Sequence, residues 1–379
     1  MSRSITRITT EGDSFLFWAL TILIIFGLLM LFTSSMVVSK EKTRTEKFPE
    51  GSAVYYFFHQ FLLGLLPGVL MAFFASKFSL NYFRRISILV YLLAIVLLII
   101  VFIPSLNFQA KGAASWIKIK EFTFQPSEFA KLSLIIYLAA FFDRKIRENK
   151  IKSTKEGLLS FLCVLAPFAI LLMAQPDMGT FGVIAIISFI MFFIAGAKLS
   201  HIILLIILGI LLIFVGALLR PHQAQRIITF INPEKDALGI SYQINQSLIA
   251  IGSGGIFGVG IGNSLQKYNY LPEPMGDTIF SVWAEETGFI GCLIIISLYL
   301  ILTWRGFIIS KRAPNKFTQL MAIGIVSWIS IQAFLNIMAV TGLIPFTGLP
   351  LPFVSYGGSA IIATLTAMGI LINISKHTI

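Results

Sequence analysis

The stretch Tyr268–Gly291, YNYLPEPMGDTIFSVWAEETGFIG, concentrates acid, proline and glycine at the mouth of a hydrophobic run. Asp277 stands about one residue before an apolar segment long enough to enter a membrane. A carboxylate so placed needs a reason, because a charge near the centre of a membrane helix costs about 2.5–3.5 kcal/mol. Asp277 is therefore the residue that the rest of the chain has to explain.

Outward from this stretch the chain stays apolar. Of 379 residues 57% are hydrophobic and 12% charged, against roughly a quarter charged in soluble domains, which marks an integral membrane protein. The net charge of +12 does not indicate a nucleic-acid partner, because Lys and Arg lie in short blocks between apolar runs and form no single stripe. Cys163 and Cys292 both fall inside apolar runs, so neither a disulfide framework nor a cysteine metal site is indicated. The four histidines, His59, His201, His222 and His377, are scattered without ligand spacing, and no metal cluster is read from the sequence.

Ten apolar runs are long enough to cross roughly 30 Å of hydrocarbon: approximately 15–38, 54–76, 86–104, 126–142, 157–174, 179–196, 200–219, 278–303, 317–341 and 353–374. The first is too long for a signal-peptide core and is expected to be retained. Charge selects the orientation. With the N-terminus cytoplasmic, seventeen Lys and Arg residues lie inside and eleven outside, and the dense blocks DRKIRENKIKSTK (143–155) and WRGFIISKRAPNK (304–316) are both inside. The expected fold is an all-α polytopic membrane protein, one domain over residues 1–379, with ten transmembrane helices, both termini cytoplasmic and a large extracytoplasmic loop, about 220–277, between helices 7 and 8. Within that loop YQINQSLIAIG (242–252) suits a short helix at the membrane surface.

Several polar groups interrupt the apolar pattern. In FQPSEFAKLSL (124–134), Glu128 and Lys131 are three apart on one helix face and can pair, as a structural ion pair or as part of a site. Asp177, in the tight turn AQPDMGT (174–180), could coordinate a cation or cap the helix that follows, and capping is the commoner role for an aspartate just before an apolar run. GSGGIFGVGIG (252–262) has six glycines but no preceding strand or βαβ context, so it is no dinucleotide fingerprint; a packing turn and a close approach to a phosphate or sugar both remain open. Lys267, Glu273 and Asp277 offer a cation and two carboxylates, with Tyr268 and Tyr270 nearby. Glu285 and Glu286 are adjacent like charges inside the next span, where a helix-packing hydrogen bond or a pairing with Lys131 would accommodate them. TGLIPFTGLPLPFVSYGGSA (341–360), with three prolines around Ser355 and Tyr356, is expected to line a cavity, because irregular backbone at membrane depth is tolerated only where protein or water covers it.

Taken together these motifs resemble the SEDS family of shape, elongation, division and sporulation proteins (FtsW, RodA and SpoVE). The pieces are DSFLFW (13–18), GAASWI (112–117), FQPSEFAK (124–131), AQPDMGT, RIITFINP (226–233), YQINQSLIAIGSGG (242–255), YLPE (270–273), AEETGFIG (284–291) and PLPFVSYGGS (350–359), in the family's order over nearly the whole chain. The resemblance implies a peptidoglycan glycosyltransferase that polymerises lipid II at the outer face of the cytoplasmic membrane. GIGNSLQK (260–267) looks more like FtsW than RodA, which implies division and the septum. The family's catalytic aspartate falls on Asp277, and its membrane Glu and Lys on Glu128 and Lys131. The expected substrate-binding set is Glu128, Lys131, Arg226, Gln243, Gln246, Ser247, Lys267, Glu273, Ser355 and Tyr356. Expected partners are lipid II, a class B penicillin-binding transpeptidase and divisome membrane proteins. No cofactor is fixed, although a divalent cation, Mg or Mn, is one possible source of positive charge.

Two departures stand out. Ser115 replaces the family's usual arginine before Trp-Ile, with Lys111, Lys118 or Lys120 as possible substitutes for it. Pro274-Met275-Gly276 replaces a segment that usually carries a histidine beside the aspartate. The rival readings are a lipid II flippase or transporter, disfavoured by the absence of an internal repeat, a RodA-like elongation enzyme, and a scaffold for which the charges at Asp277 and Lys131 are dispensable.

Overall fold

The computed structural model describes residues 12–45, 49–110, 113–119, 122–219, 226, 228–231 and 240–378. A helix occupies each of the ten apolar runs: α1 (Ser14–Thr43), α2 (Tyr55–Ala75, with a π turn at Phe61–Leu65), α3 (Leu80–Ile100), α4 (Pro126–Arg147), α5 (Thr154–Ala174), α6 (Met178–Ile194), α7 (Leu199–Leu219), α9 (Ile279–Lys311), α10 (Lys316–Val340) and α11 (Gly358–Ser375). Eight of these are long and apolar enough to cross a membrane; the other two are α6, which is shorter, and α4, which carries Glu128, Lys131 and Asp143. The connecting helix α8 (Ile240–Ser253) covers YQINQSLIAIG, and it packs on α9 with Leu248 and Ile249 left exposed.

Helices α10 and α11 are mostly buried, whereas α2, α3 and α7 present most of their apolar surface outward. Small residues permit the central packing, since without a hydrophobic drive between helices in lipid, close approach has to supply the attraction. A Cβ at Gly324 of α10 would come within 2.7 Å of Ile135 on α4 and 2.8 Å of the Met191 sulfur on α6.

Side-chain ties gather the helix ends into two groups. At one end Arg305 of α9 pairs with Asp13, whose amide donates to the Ser375 hydroxyl at 3.0 Å, joining α1, α9 and α11. At that end also, Arg84 of α3 pairs with Asp143 of α4 and lies 5.1 Å from the Phe317 ring of α10. At the opposite end Gln175, after α5, donates to the Leu98 carbonyl of α3 at 2.8 Å, and the Gln125 amide before α4 donates to the Ser359 hydroxyl at 3.1 Å. The first end holds the basic blocks, and the second holds Asp277.

Two segments differ from the all-α expectation. Between α3 and α4 a three-stranded antiparallel sheet, β1 (Asn107–Ala110), β2 (Ala113–Ile119) and β3 (Phe122–Phe124), uses the alternation in AASWIKI, which a count of membrane runs overlooks. The expected last span, from 353, instead starts as helix at Gly358. Before it, Thr341–Gly357 turns back into the bundle as irregular chain. The Phe353 carbonyl lies 2.4 Å from where a Cβ on Gly27, midway along α1, would stand, and Tyr299 of α9 donates to the Pro352 carbonyl. Leu349, Leu351, Phe353 and Val354 are each under 5% exposed, so protein covers this backbone at membrane depth, as hydrocarbon demands.

Candidate active site

The loop before α9 is folded by its own hydrogen bonds. The Thr278 hydroxyl donates to the carbonyls of Pro272 at 2.8 Å and Glu273 at 2.9 Å, and the Gly276 amide donates to the Glu273 carbonyl at 2.9 Å. Glu273 takes a left-handed φ of 53° to make this turn, with its carboxylate exposed. The re-entrant segment then grips the loop from the side. Ser355 Oγ donates to the Gly276 carbonyl at 2.7 Å, and the Tyr356 amide donates to the Met275 carbonyl at 2.8 Å. Asp277 is left 2% exposed.

Its carboxylate faces the other wall. A Cβ on Gly348 would lie 3.5 Å from Asp277 Oδ2 and 3.9 Å from a terminal nitrogen of Arg226, so the carboxylate and the guanidinium flank one glycine. Arg226 Nη1 donates to the Thr347 carbonyl at 3.5 Å. Burial pushes the Arg226 guanidinium down from its ordinary range, and the charges of Asp277 and Asp177 push it back up. An arginine stays charged in such surroundings. Arg226 Nε and Thr347 Oγ1 are buried without hydrogen-bond partners.

Asp177 caps α6, as its position before an apolar run suggests: Oδ1 accepts from the Thr180 amide at 3.1 Å, while Oδ2 accepts from the Ser127 hydroxyl at 3.4 Å. One residue on from Ser127, Glu128 accepts from Lys131 at 2.7 Å, giving the i,i+3 pair expected in α4. Lys131 also donates to Gln332 Oε1 at 2.7 Å and lies 5.1 Å from the Trp328 ring. Gln332 in turn receives the Trp328 indole at 2.8 Å and donates to the Pro350 carbonyl at 3.0 Å. Asn336, one turn further on, donates to the carbonyls of Asp277 at 2.8 Å and Leu349 at 2.7 Å. Hydrogen bonds thus run from Asp277 through Asn336, the 349–350 segment, Gln332 and Lys131 to Glu128, and the neighbouring Ser127 binds Asp177; Arg226 completes a polar circuit by charge, within the influence of both Asp177 and Asp277. It includes Glu128, Lys131, Arg226 and Asp277 of the expected set.

Other expected residues have different places. Lys267 is 1% exposed and bound to the Gly262 carbonyl and to Glu286 at 2.9 Å, so it serves as an internal counter-charge and lies away from a substrate surface. This also answers the alternatives left for the glutamates: Glu286 pairs with Lys267, not Lys131, and Glu285 accepts from the amides of Leu265 at 3.0 Å and Gln266 at 3.3 Å. The six-glycine segment is a packing turn against these residues, since a Cβ on Gly258 would meet the Glu286 carbonyl at 2.2 Å. Ser247 is buried and donates to the Gln243 carbonyl of its own helix at 2.8 Å; Gln243 and Gln246 are half-buried on α8. The Ser355 hydroxyl is occupied in holding backbone, and that of Tyr356 bonds His59 on α2 at 2.8 Å. Ser115 is buried on β2 and Lys118 is exposed; Lys111 and Lys120 lie outside the described residues.

Trp328, Gln332 and Asn336 were missed from the sequence, although their four-residue spacing within an apolar run places them on one helix face. Among the described residues no group of three or more His, Cys, Asp or Glu converges. The arrangement offers a buried carboxylate opposite a guanidinium, with an ammonium group on the same polar circuit.

A family model described as "Cell cycle protein", covering FtsW, RodA and SpoVE, matches residues 14–379. Over 370 residues the chain is 39% identical to stage V sporulation protein E of Bacillus subtilis (strain 168), covering 97% of this chain and 98% of the relative. It is 37% identical over 365 residues to a probable peptidoglycan glycosyltransferase FtsW of Trichlorobacter lovleyi, covering 96% and 93%. Among solved structures it is similar to a chain of a peptidoglycan synthase complex that coordinates polymerization and crosslinking, with a TM-score of 0.75, 26% identity and 96% and 97% coverage. It is also similar to the rod shape determining protein RodA of Thermus thermophilus, with a TM-score of 0.68, 25% identity and 96% of each chain covered.

Proposed function

Because the chain belongs to the FtsW, RodA and SpoVE family of cell cycle proteins, we propose that it is a peptidoglycan glycosyltransferase that polymerises lipid II at the outer face of the cytoplasmic membrane. In this reading the ten helices in apolar runs all span the bilayer, both termini are cytoplasmic, and the end that carries Asp277 is extracytoplasmic. The observation that carries the reading is the buried Asp277 carboxylate set opposite Arg226 across Gly348.

In the proposed reaction Asp277 accepts the proton of the attacking sugar hydroxyl. That oxygen bonds to the anomeric carbon of the second lipid-linked strand from the face opposite the leaving group, and the carbon–oxygen bond to the diphosphate breaks with its electron pair going to the phosphate. General base catalysis of this kind contributes about 10²–10⁴-fold. Glycosidases need a second carboxyl group as acid because an alkoxide leaves poorly, whereas a diphosphate needs its charge stabilised. Arg226 supplies that charge, with Lys131 behind it on the polar circuit, held by Glu128 and Gln332, which explains how a single base suffices. A divalent cation carried by the diphosphate would find Asp177 as its protein carboxylate, Asp277 being the base, in keeping with the few protein ligands Mg takes; it would add charge stabilisation when bound, and a chelator tests for it.

The synthase complex among the similar structures supports a class B penicillin-binding transpeptidase as partner, alongside divisome membrane proteins. The FtsW relatives at 34–37% identity support a division role over side-wall elongation, and the sporulation relative at 39% supports a paralogue used in sporulation as the other reading. The test is polymerisation of lipid II by the purified protein with its transpeptidase: Asp277→Asn should lower the rate at least about 100-fold. Unimpaired polymerisation by the folded variant would refute the assignment. Lipid II crossing vesicle membranes with no polymer formed would favour a flippase instead.

A further inference from the structure

Asn336 lies on α10, the most enclosed helix of the bundle, and is 2% exposed. Its side-chain nitrogen has two hydrogens, and both go to carbonyl oxygens: that of Asp277 at 2.8 Å and that of Leu349 at 2.7 Å. Since both partners are acceptors, the amide has only one orientation that satisfies them. The side-chain oxygen then points away and is buried without a partner. A leucine of similar size would remove that orphaned acceptor but would leave the Asp277 and Leu349 carbonyls without this donor, so what the amide does here is bridge those two carbonyls.

The two carbonyls belong to opposite walls of the site. One is the main chain of the proposed base. The other adjoins Gly348, the glycine flanked by the Asp277 carboxylate and Arg226. We infer that Asn336 is the positioning residue for Asp277: it fixes the separation between the base and the 347–349 wall, using α10 as the rigid reference. Gln332, one turn away, holds the same wall through the Pro350 carbonyl and meets Lys131 with its oxygen. The i,i+4 spacing thus sets the base and the ammonium group in one frame. This inference rests on the reading of Asp277 as the base.

The experiment compares Asn336→Leu, Asn336→Ser and Asp277→Asn in lipid II polymerisation with the transpeptidase partner present, measuring kcat and KM separately after a size-exclusion check of folding. A misplacement of about 1 Å costs on the order of 100-fold. The expected result for Asn336→Leu is a fall in kcat of about 10- to 100-fold with KM within about threefold, and for Asn336→Ser, which keeps one donor, an intermediate fall. A kcat within about twofold of the unsubstituted protein, or a loss expressed only in KM, overturns the inference. If Asn336→Leu does not fold, the Asn336→Ser result decides by the same criterion. If Asp277→Asn polymerises normally, the base assignment itself fails; if it is inactive while Asn336→Leu is normal, only the positioning role fails.

Discussion

Lys131 is 1% exposed, with Glu128 and Gln332 each 2.7 Å away. Removing one partner of such a pair leaves an uncompensated buried charge, at a cost of about 3–5 kcal/mol, whereas replacing both by uncharged groups is often nearly neutral. Lys131→Met should therefore lower the thermal midpoint of the detergent-solubilised protein far more than the double change Glu128→Gln with Lys131→Met. Polymerisation should be reduced in both, and equal midpoints would contradict this account. The Glu128–Lys131 pair was legible from spacing alone. Gln332 was not, because its significance lies in a partner on a different helix, and a neutral amide draws less notice than a charge. Lys267 misled for the converse reason: a lysine in a polar loop reads as solvated until the loop is found folded onto Glu286.

At the scale of elements, α9 is two helical pieces joined at Gly288, where φ is 66° and ψ −164°. Only glycine adopts this region readily, and a Cβ there would stand 2.4 Å from the Gly258 amide nitrogen. Gly288→Ala should destabilise by at least about 1–3 kcal/mol. Gly182→Ala, on α6 with open space around the added methyl, should instead stabilise by about 0.5–1 kcal/mol. Thermal unfolding of the two variants side by side checks the opposite signs. The helices themselves were readable from apolar run length, and α8 from its mixed apolar and polar pattern. The break at Gly288 was not, since a glycine inside an apolar run is ordinary in membrane helices; its cause is the incoming 254–260 turn, whose Val259 amide donates to the Glu285 carbonyl at 3.0 Å. The small sheet escaped for a related reason: short alternating strands carry little weight beside long apolar runs.

For the whole molecule, the asymmetry of basic blocks predicts that a fluorescent reporter inserted at residue 150, or fused after residue 376, is bright in the cytoplasm, and that alkaline phosphatase inserted near residue 270 is active outside. The reverse pattern would invert the proposed orientation. The order of the long helices could be read from the chain because each occupies an apolar run of about the length that hydrocarbon thickness sets. The site could be read only in part: Asp277 announced itself by charge at a boundary, but the circuit that holds it joins α4, the α5–α6 turn, α10 and the re-entrant segment, and no local pattern encodes such distant meetings. That distance also has a consequence in time. Gln332 follows Lys131 by 201 residues, and at about 5–20 residues per second a ribosome needs roughly 10–40 s to produce it. Throughout that interval Glu128 is the sole partner of Lys131 within the circuit, so the nascent chain passes through a stage in which its most polar long helix already has α3 to pack against but still lacks α10.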